Sequence, residues 1–349
     1  MPVSPNLPQV DTVERLTTIW ANRYFPNLSG LLGDNEFTVR SKLREAVSKQ
    51  GRKQTAQKLN KKVIEQQCNL AAVRTRSLYS DDKAANFKEI SNLAKLISRI
   101  YLQLIEIYQE SAPVVLSQGK QGRALTEPSL ESWGIPKINR LAAALAPLLS
   151  ELQDHNRLSQ SFQSAGFATT QISLSNALLL EQLEPVEQVF IKCYFQFLEE
   201  QVALPWQQMC AAAVAYTSRS AIFAVVERIL PMTHDIAVAT YTRWSNTFQN
   251  YNSRRGDLSS PAVKHSCIRD FEMFQVYLWL SFLAKDLTFV KQELSAICVM
   301  VYGVLNIPWT MTVDGNILLM REILNRLEPH EKNLVRPYTQ HMINAFPDR

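Results

Sequence analysis

The sequence predicts an all-α protein, and three observations carry that prediction. Glycine is scarce, 10 of 349 residues, against a usual share of about 7%. Tight hairpins and barrels need glycine at positive φ, and this chain supplies few such turns. Hydrophobic residues make up 46% and charged residues 20%, so a sizeable core can form and wholesale disorder is excluded. Along most of the chain, apolar residues recur at intervals of three and four, the period of a helix with a buried face.

The first helical stretch spans 52–78, where Ala56, Leu59, Val63, Gln66, Leu70 and Val73 trace a thin seam. A short break at 78–80 follows, with Ser80 as cap and Asp81 and Asp82 at the positive end of the next helix dipole. From 87 to 108 the stripe is broad. Phe87, Ile90, Ala94, Ile97, Tyr101, Leu104 and Tyr108 carry it, and Leu93, Leu96, Ile100 and Ile107 widen it enough to meet two neighbours. These two helices are expected to fold back on each other as an antiparallel hairpin.

The pattern fails over 111–137, where Pro113, Gly119, Gly122, Pro128, Gly134 and Pro136 punctuate polar sequence. That stretch reads as a linker. Helical patterns return over 138–152, 170–183, 185–216 with a kink at Pro205, 219–230, 233–251, 261–284, 286–305, 314–327 and 329–346. Pro185, Pro261 and Pro329 each stand where a first-turn proline belongs. No repeat of fixed period is present, which argues against a solenoid. The predicted organisation is a small N-terminal helical hairpin or bundle over 1–110, the linker, and a larger C-terminal multi-helix domain over 138–349.

The N-terminus lacks a basic n-region followed by an apolar h-region, so no secretory signal is expected and the cytoplasm is the expected compartment. Cys68, Cys193, Cys210, Cys267 and Cys298 are odd in number, and none sits at zinc or CxxC spacing. Cys193, Cys210 and Cys298 read as small core residues. The uncharged run 294–313 is just long enough to span a bilayer, but Gly303, Asn306 and Pro308 interrupt it. It and the apolar run 273–284 read as helices of a globular core.

Charge is the most informative feature. The whole chain carries +5, yet residues 40–76 hold eleven cations against Glu45 and Glu65, a local sum of 11 − 2 = +9. The remainder therefore sums to 5 − 9 = −4. A local positive field recruits an acidic protein face, a phosphate backbone or anionic headgroups. The partner-binding residues expected here are Arg40, Arg44, Lys53, Lys58, Lys61, Lys62, Arg74 and Arg76. At 100° per residue Lys58, Lys62 and Arg76 share a side while Lys53 and Lys61 fall elsewhere, so no single basic stripe forms. Stacking aromatics are absent from the segment, which disfavours single-stranded nucleic acid.

Catalytic signatures are missing: there is no GxxxxGK[ST], GxGxxG or HExxH. His234-Asp235 after Thr233 reads as a helix start with Thr233 as cap. Glu199-Glu200 reads as part of a solvated helix face, and no Glu-x-x-His pair supports a di-iron site. Trp206, Trp244, Trp279, Trp309, Phe271, Phe274, Tyr277 and Phe282 concentrate in the C-terminal part. Such a domain can seat a flat pigment or tetrapyrrole, but core packing accounts for the same residues. No cofactor or metal is expected.

The segments 185–213 (PVEQVFIKCYFQFLEEQVALPWQQMCAAA) and 269–302 (RDFEMFQVYLWLSFLAKDLTFVKQELSAICVMVY) resemble uncharacterised all-helical cyanobacterial proteins. The resemblance implies a photosynthetic bacterial setting, near thylakoid or antenna complexes, and assigns no active site. Together these readings describe a non-enzymatic interaction protein, an adaptor, assembly factor or regulator, whose N-terminal basic helices dock an acidic partner. The alternative is a nucleic-acid-binding regulator using the same helices, and a helical enzyme with scattered catalytic residues comes third; among partners a membrane surface ranks behind protein and nucleic acid.

Overall fold

The computed structural model describes residues 11–26, 36–79, 87–113, 134–158 and 163–347. The protein is all-α, and the strands among the described residues form one two-residue antiparallel ribbon in which Asn252 pairs with Asp257 and Ser253 with Gly256. The chain forms two compact units, residues 21–202 and residues 1–20 with 203–349.

The 21–202 unit contains α2 (Glu36–Val47), α3 (Lys49–Lys58), α4 (Lys61–Leu78), α5 (Phe87–Glu110), α6 (Ile138–Leu158), α7 (Gln163–Leu180) and α8 (Pro185–Ala203). The broad stripe of α5 is buried as its spacing predicts: Leu93, Ala94, Leu96, Ile97, Ile100, Tyr101, Leu104 and Tyr108 all leave solvent. Its width serves several neighbours, since α3, α4 and α6 all pack on α5. Each large side chain so buried contributes roughly 1.5–3 kcal/mol.

The seam expected over 52–78 is not the buried one. The chain breaks at Leu59 (φ −95°, ψ 47°), and Asn60 restarts it by accepting the Val63 N–H at 3.2 Å. A single helical phase therefore cannot run from Ala56 to Val73. The buried face of α4 is Ile64, Cys68, Ala71, Ala72 and Thr75, packed on α5 and α7. Leu70 and Val73 are turned outward, 39% and 66% exposed. The cap expected at Ser80 lies outside the described residues.

The other unit holds α1 (Thr12–Ala21) up to Trp20, α9 (Trp206–Ala213), α10 (Ala221–Ile229), α11 (Thr233–Thr247), α12 (Pro261–Ala284), α13 (Ser295–Val304), α14 (Trp309–Arg326) and α15 (Pro329–Asn344). Helix α12 is buried all round from Phe271 to Leu283 and packs against α9, α11 and α15. Such a helix belongs at the centre of a helical cluster. The aromatics expected to pack a core do so except Trp309, which is half-buried. Trp244 meets Phe271 edge-on at 5.8 Å, and Trp279 meets Phe282 at 6.2 Å.

Pro185, Pro261 and Pro329 each open a helix, and Glu328 and Glu331 form a reciprocal capping box at the start of α15. Three local expectations change. The helix expected over 185–216 is two helices, because Pro205 has no N–H to continue α8. Thr233 does not cap α11: the helix begins at Thr233 itself, whose hydroxyl donates back to the Leu230 carbonyl at 2.7 Å. The helix expected over 286–305 follows a left-handed Lys285 (φ 53°), passes through a π-helical turn at Val290–Leu294, and ends ahead of Asn306 (φ 58°) and Pro308. Among the described residues no helix is long and apolar enough to cross a membrane.

The compact units divide the chain at 20–21 and 202–203. Residues 114–133 of the expected linker 111–137 lie outside the described residues, and α5 and α6, which flank it, pack together. The placement of α1 also has a physical cause. Trp20 stacks on Trp206 with centroids 4.3 Å apart, Thr12 donates to the Ala213 carbonyl at 2.9 Å, and Arg15 pairs with Glu227 at 2.5 Å.

Candidate docking surface

The cations of the +9 segment sit on three short helices held in place by tight local geometry. Ser48 caps α3 by accepting the Gly51 N–H at 3.0 Å. A Cβ on Gly51 would lie 2.0 Å from the Glu45 carbonyl, so only glycine lets α3 turn this closely off α2. At the other end Leu59 is buried and Asn60 caps α4, fixing the direction in which the α4 side chains project.

The eight residues expected to bind a partner have different fates. Arg44, Lys53, Lys62 and Arg74 are exposed, and no ion pair engages them among the described residues. Lys58 is exposed but pairs with Glu187 of α8 at 2.7 Å, so much of its charge is spent within the unit. Lys61 lies 3.9 Å from Glu65, one turn on, in a solvated pair worth roughly 0.3–0.5 kcal/mol. Arg76 is half-buried, and the side chain of Arg40 lies outside the described residues. Lys42 and Lys49, not singled out by spacing, are exposed as well. What the fold leaves to solvent is a loose basic surface over α2, α3 and α4, not a stripe.

Arg52 is the member of the segment that sequence alone misplaces. Its charge counts toward +9, yet the side chain is fully buried. The guanidinium donates to the carbonyls of Tyr108 at 2.9 Å and Val47 at 3.3 Å, and lies 4.4 Å over the Tyr108 ring. Tyr194 donates to the Gly134 carbonyl at 2.5 Å, and Gly134, at φ +68°, closes the same neighbourhood. Arg52 therefore binds the 21–202 unit together. Burial pushes the Tyr108 phenol up to about 12 although the cation beside it pulls the other way.

The expected solvated glutamates are also interior. Glu199 and Glu200 are 5% and 4% exposed. Glu200 accepts from Tyr24 at 2.5 Å and from Arg23 at 3.1 Å, while Asn176 donates to Glu199 at 3.1 Å and accepts from Tyr101 at 2.6 Å. Buried carboxylates persist only with such partners. These partners come from segments far apart in sequence, which is why spacing did not reveal them.

In the other unit, one cluster escaped the sequence reading because it matches no nucleophile or metal spacing. On α12 the half-buried Cys267 stands beside Arg269 and Asp270, which pair at 2.9 Å. Tyr302 donates to the other Asp270 oxygen at 3.4 Å, and Arg255 donates to Ser266 at 2.9 Å. Burial raises the Cys267 thiol to about 12, with the Asp270 charge adding to the shift. Cys193 and Cys210 are likewise raised to about 12 by burial, Cys298 is raised by burial too, and all three are core residues as expected. Among the described residues no group of three or more His, Cys, Asp or Glu is arranged to hold a metal ion.

Residues 200–346 match the family model of the phycobilisome protein. The matched span lies almost wholly in the unit formed by residues 1–20 and 203–349, so the basic surface is outside it. No curated protein matches the chain, and no solved structure matches it either.

Proposed function

We propose that the chain is a non-enzymatic helical interaction protein serving light-harvesting assembly in the cytoplasm, and that α2–α4 dock an acidic protein partner. The observation that carries the docking half is the surplus of exposed cations on those helices. Arg44, Lys53, Lys62 and Arg74 are exposed and not engaged in ion pairs among the described residues, whereas Arg52 is buried in the core and the exposed Lys58 is paired with Glu187. The light-harvesting half rests on the phycobilisome match over 200–346. Charge of one sign on a partner-free face speeds encounter and selects partners of the opposite sign.

The test reverses the four exposed cations together: Arg44→Glu, Lys53→Glu, Lys62→Glu and Arg74→Glu take the local charge from +9 to 9 − 8 = +1. Exposed substitutions cost little stability, within about 0.5 kcal/mol each. Partner capture from native extract falls at least about tenfold, survives nuclease and weakens with salt. Capture that vanishes with nuclease selects the nucleic-acid regulator instead. Capture indifferent to the four reversals overturns the docking reading.

A further inference from the structure

We infer that the outer face of α4 is a helix-docking seam, and that its occupant is an amphipathic helix with acidic flanks on the partner protein. The inference rests on the docking reading above and assigns that partner a shape.

Helix α4 carries apolar residues on two faces. One, built on Ile64, Cys68, Ala71 and Thr75, is consumed inside the unit. The second runs through Val63, Gln66, Leu70, Val73 and Ser77, at intervals of three, four, three and four. That is the alternation by which one helix lies along another in knobs-into-holes packing. Among the described residues no element covers it: Gln66 and Ser77 are exposed, Val63 is half-buried, and Leu70 and Val73 are 39% and 66% exposed. Val73 is among the most exposed large apolar residues of the described chain.

The flanks decide the occupant. In heptad terms Lys62 precedes the seam position Val63, and Arg74 follows Val73, so both stand beside the seam where interhelical ion pairs form. Both are exposed and not engaged in ion pairs among the described residues. A second copy of α4 would bring like charges against them, so self-association through this face is disfavoured. A helix with leucine-type residues at its seam and glutamate or aspartate beside them satisfies both features. Gln66 at one seam position limits the affinity and fixes the register, as a polar seam residue does.

The experiment uses the full chain and two synthetic three-heptad peptides, identical except at the flanks. Both carry leucine at the seam positions, with glutamate beside them in one peptide and lysine in the other. Fluorescence anisotropy should show the glutamate peptide binding at least about tenfold more tightly than the lysine peptide. Leu70→Ser with Val73→Ser should weaken that binding at least about tenfold. Lys62→Glu with Arg74→Glu should invert the preference between peptides. Leu70→Ala with Val73→Ala, which keeps helix propensity, serves as the control for folding and should weaken binding likewise. If the seam variants bind as wild type while the charge variant loses binding, the basic face stands and the seam is refuted. If neither the seam pair nor the charge pair changes binding, and the fourfold reversal leaves capture intact, both readings fall.

Discussion

Arg52→Met separates a cation that holds the fold from one that meets a partner. The substitution keeps the length of the stem and removes the guanidinium. The carbonyls of Tyr108 and Val47 then lose donors at 2.9 and 3.3 Å, inside a core where Arg52 has no exposure. Leaving two buried acceptors unsatisfied costs about 1–3 kcal/mol each, and the desolvated contact over the Tyr108 ring about 2 kcal/mol. Relief from burying a charge offsets part of this. The net loss is about 3 kcal/mol, large against the total stability of a domain. Amide exchange near the C-terminal end of α5 should accelerate by roughly a hundredfold, the equivalent of that loss, and urea should unfold the 21–202 unit at lower concentration. Lys53→Met, the exposed neighbour, should shift stability by no more than about 0.5 kcal/mol. If Arg52→Met leaves exchange and urea midpoint unchanged but abolishes partner capture, Arg52 belongs to the docking surface and does not hold the fold.

Two further outcomes are expected. Trp20→Ala should destabilise the unit containing 203–347 by about 3–5 kcal/mol, because Trp20 is buried and stacked on Trp206. A thermal melt of that unit unchanged by the substitution would show that α1 is dispensable to it. Burial works to raise the Glu331 carboxyl, but the hydrogen bonds from Arg228 and the Glu328 amide outweigh it and hold the group below the ordinary glutamate value of 4.5. A lowered folded value means the contribution is fully present above about pH 4.5 and is lost as pH falls through the folded value. Glu331→Gln should therefore lower stability by about 1 kcal/mol at neutral pH, with wild type and variant converging in acid. A difference that persists undiminished at pH 3 would assign the effect to packing instead.

The sequence by itself determined the class of fold and most of the helices. Scarce glycine, the broad stripe of α5 and the prolines at the heads of α8, α12 and α15 are local signals, read through backbone sterics and helical period without knowledge of neighbours. It also determined that the basic excess is local to 40–76. Which of those cations reach solvent was a tertiary decision. Arg52 is drawn inward by Tyr108, and Lys58 is neutralised by Glu187, 129 residues on. Glu199 and Glu200 are buried because Tyr24, Arg23 and Asn176 converge on them from remote segments.

The face of α4 shows the reason most clearly. Hydrophobicity selects Leu70 and Val73 as the buried side, because large apolar residues gain most from leaving water. The fold buries Ile64 with the smaller Cys68, Ala71, Ala72 and Thr75 instead. Small side chains let the backbones of α4 and α7 approach closely, and that gain depends on the shape of the opposing helix. Period tells which residues share a face; only the packed neighbours decide which face is turned inward, and here they left Leu70 and Val73 in solvent.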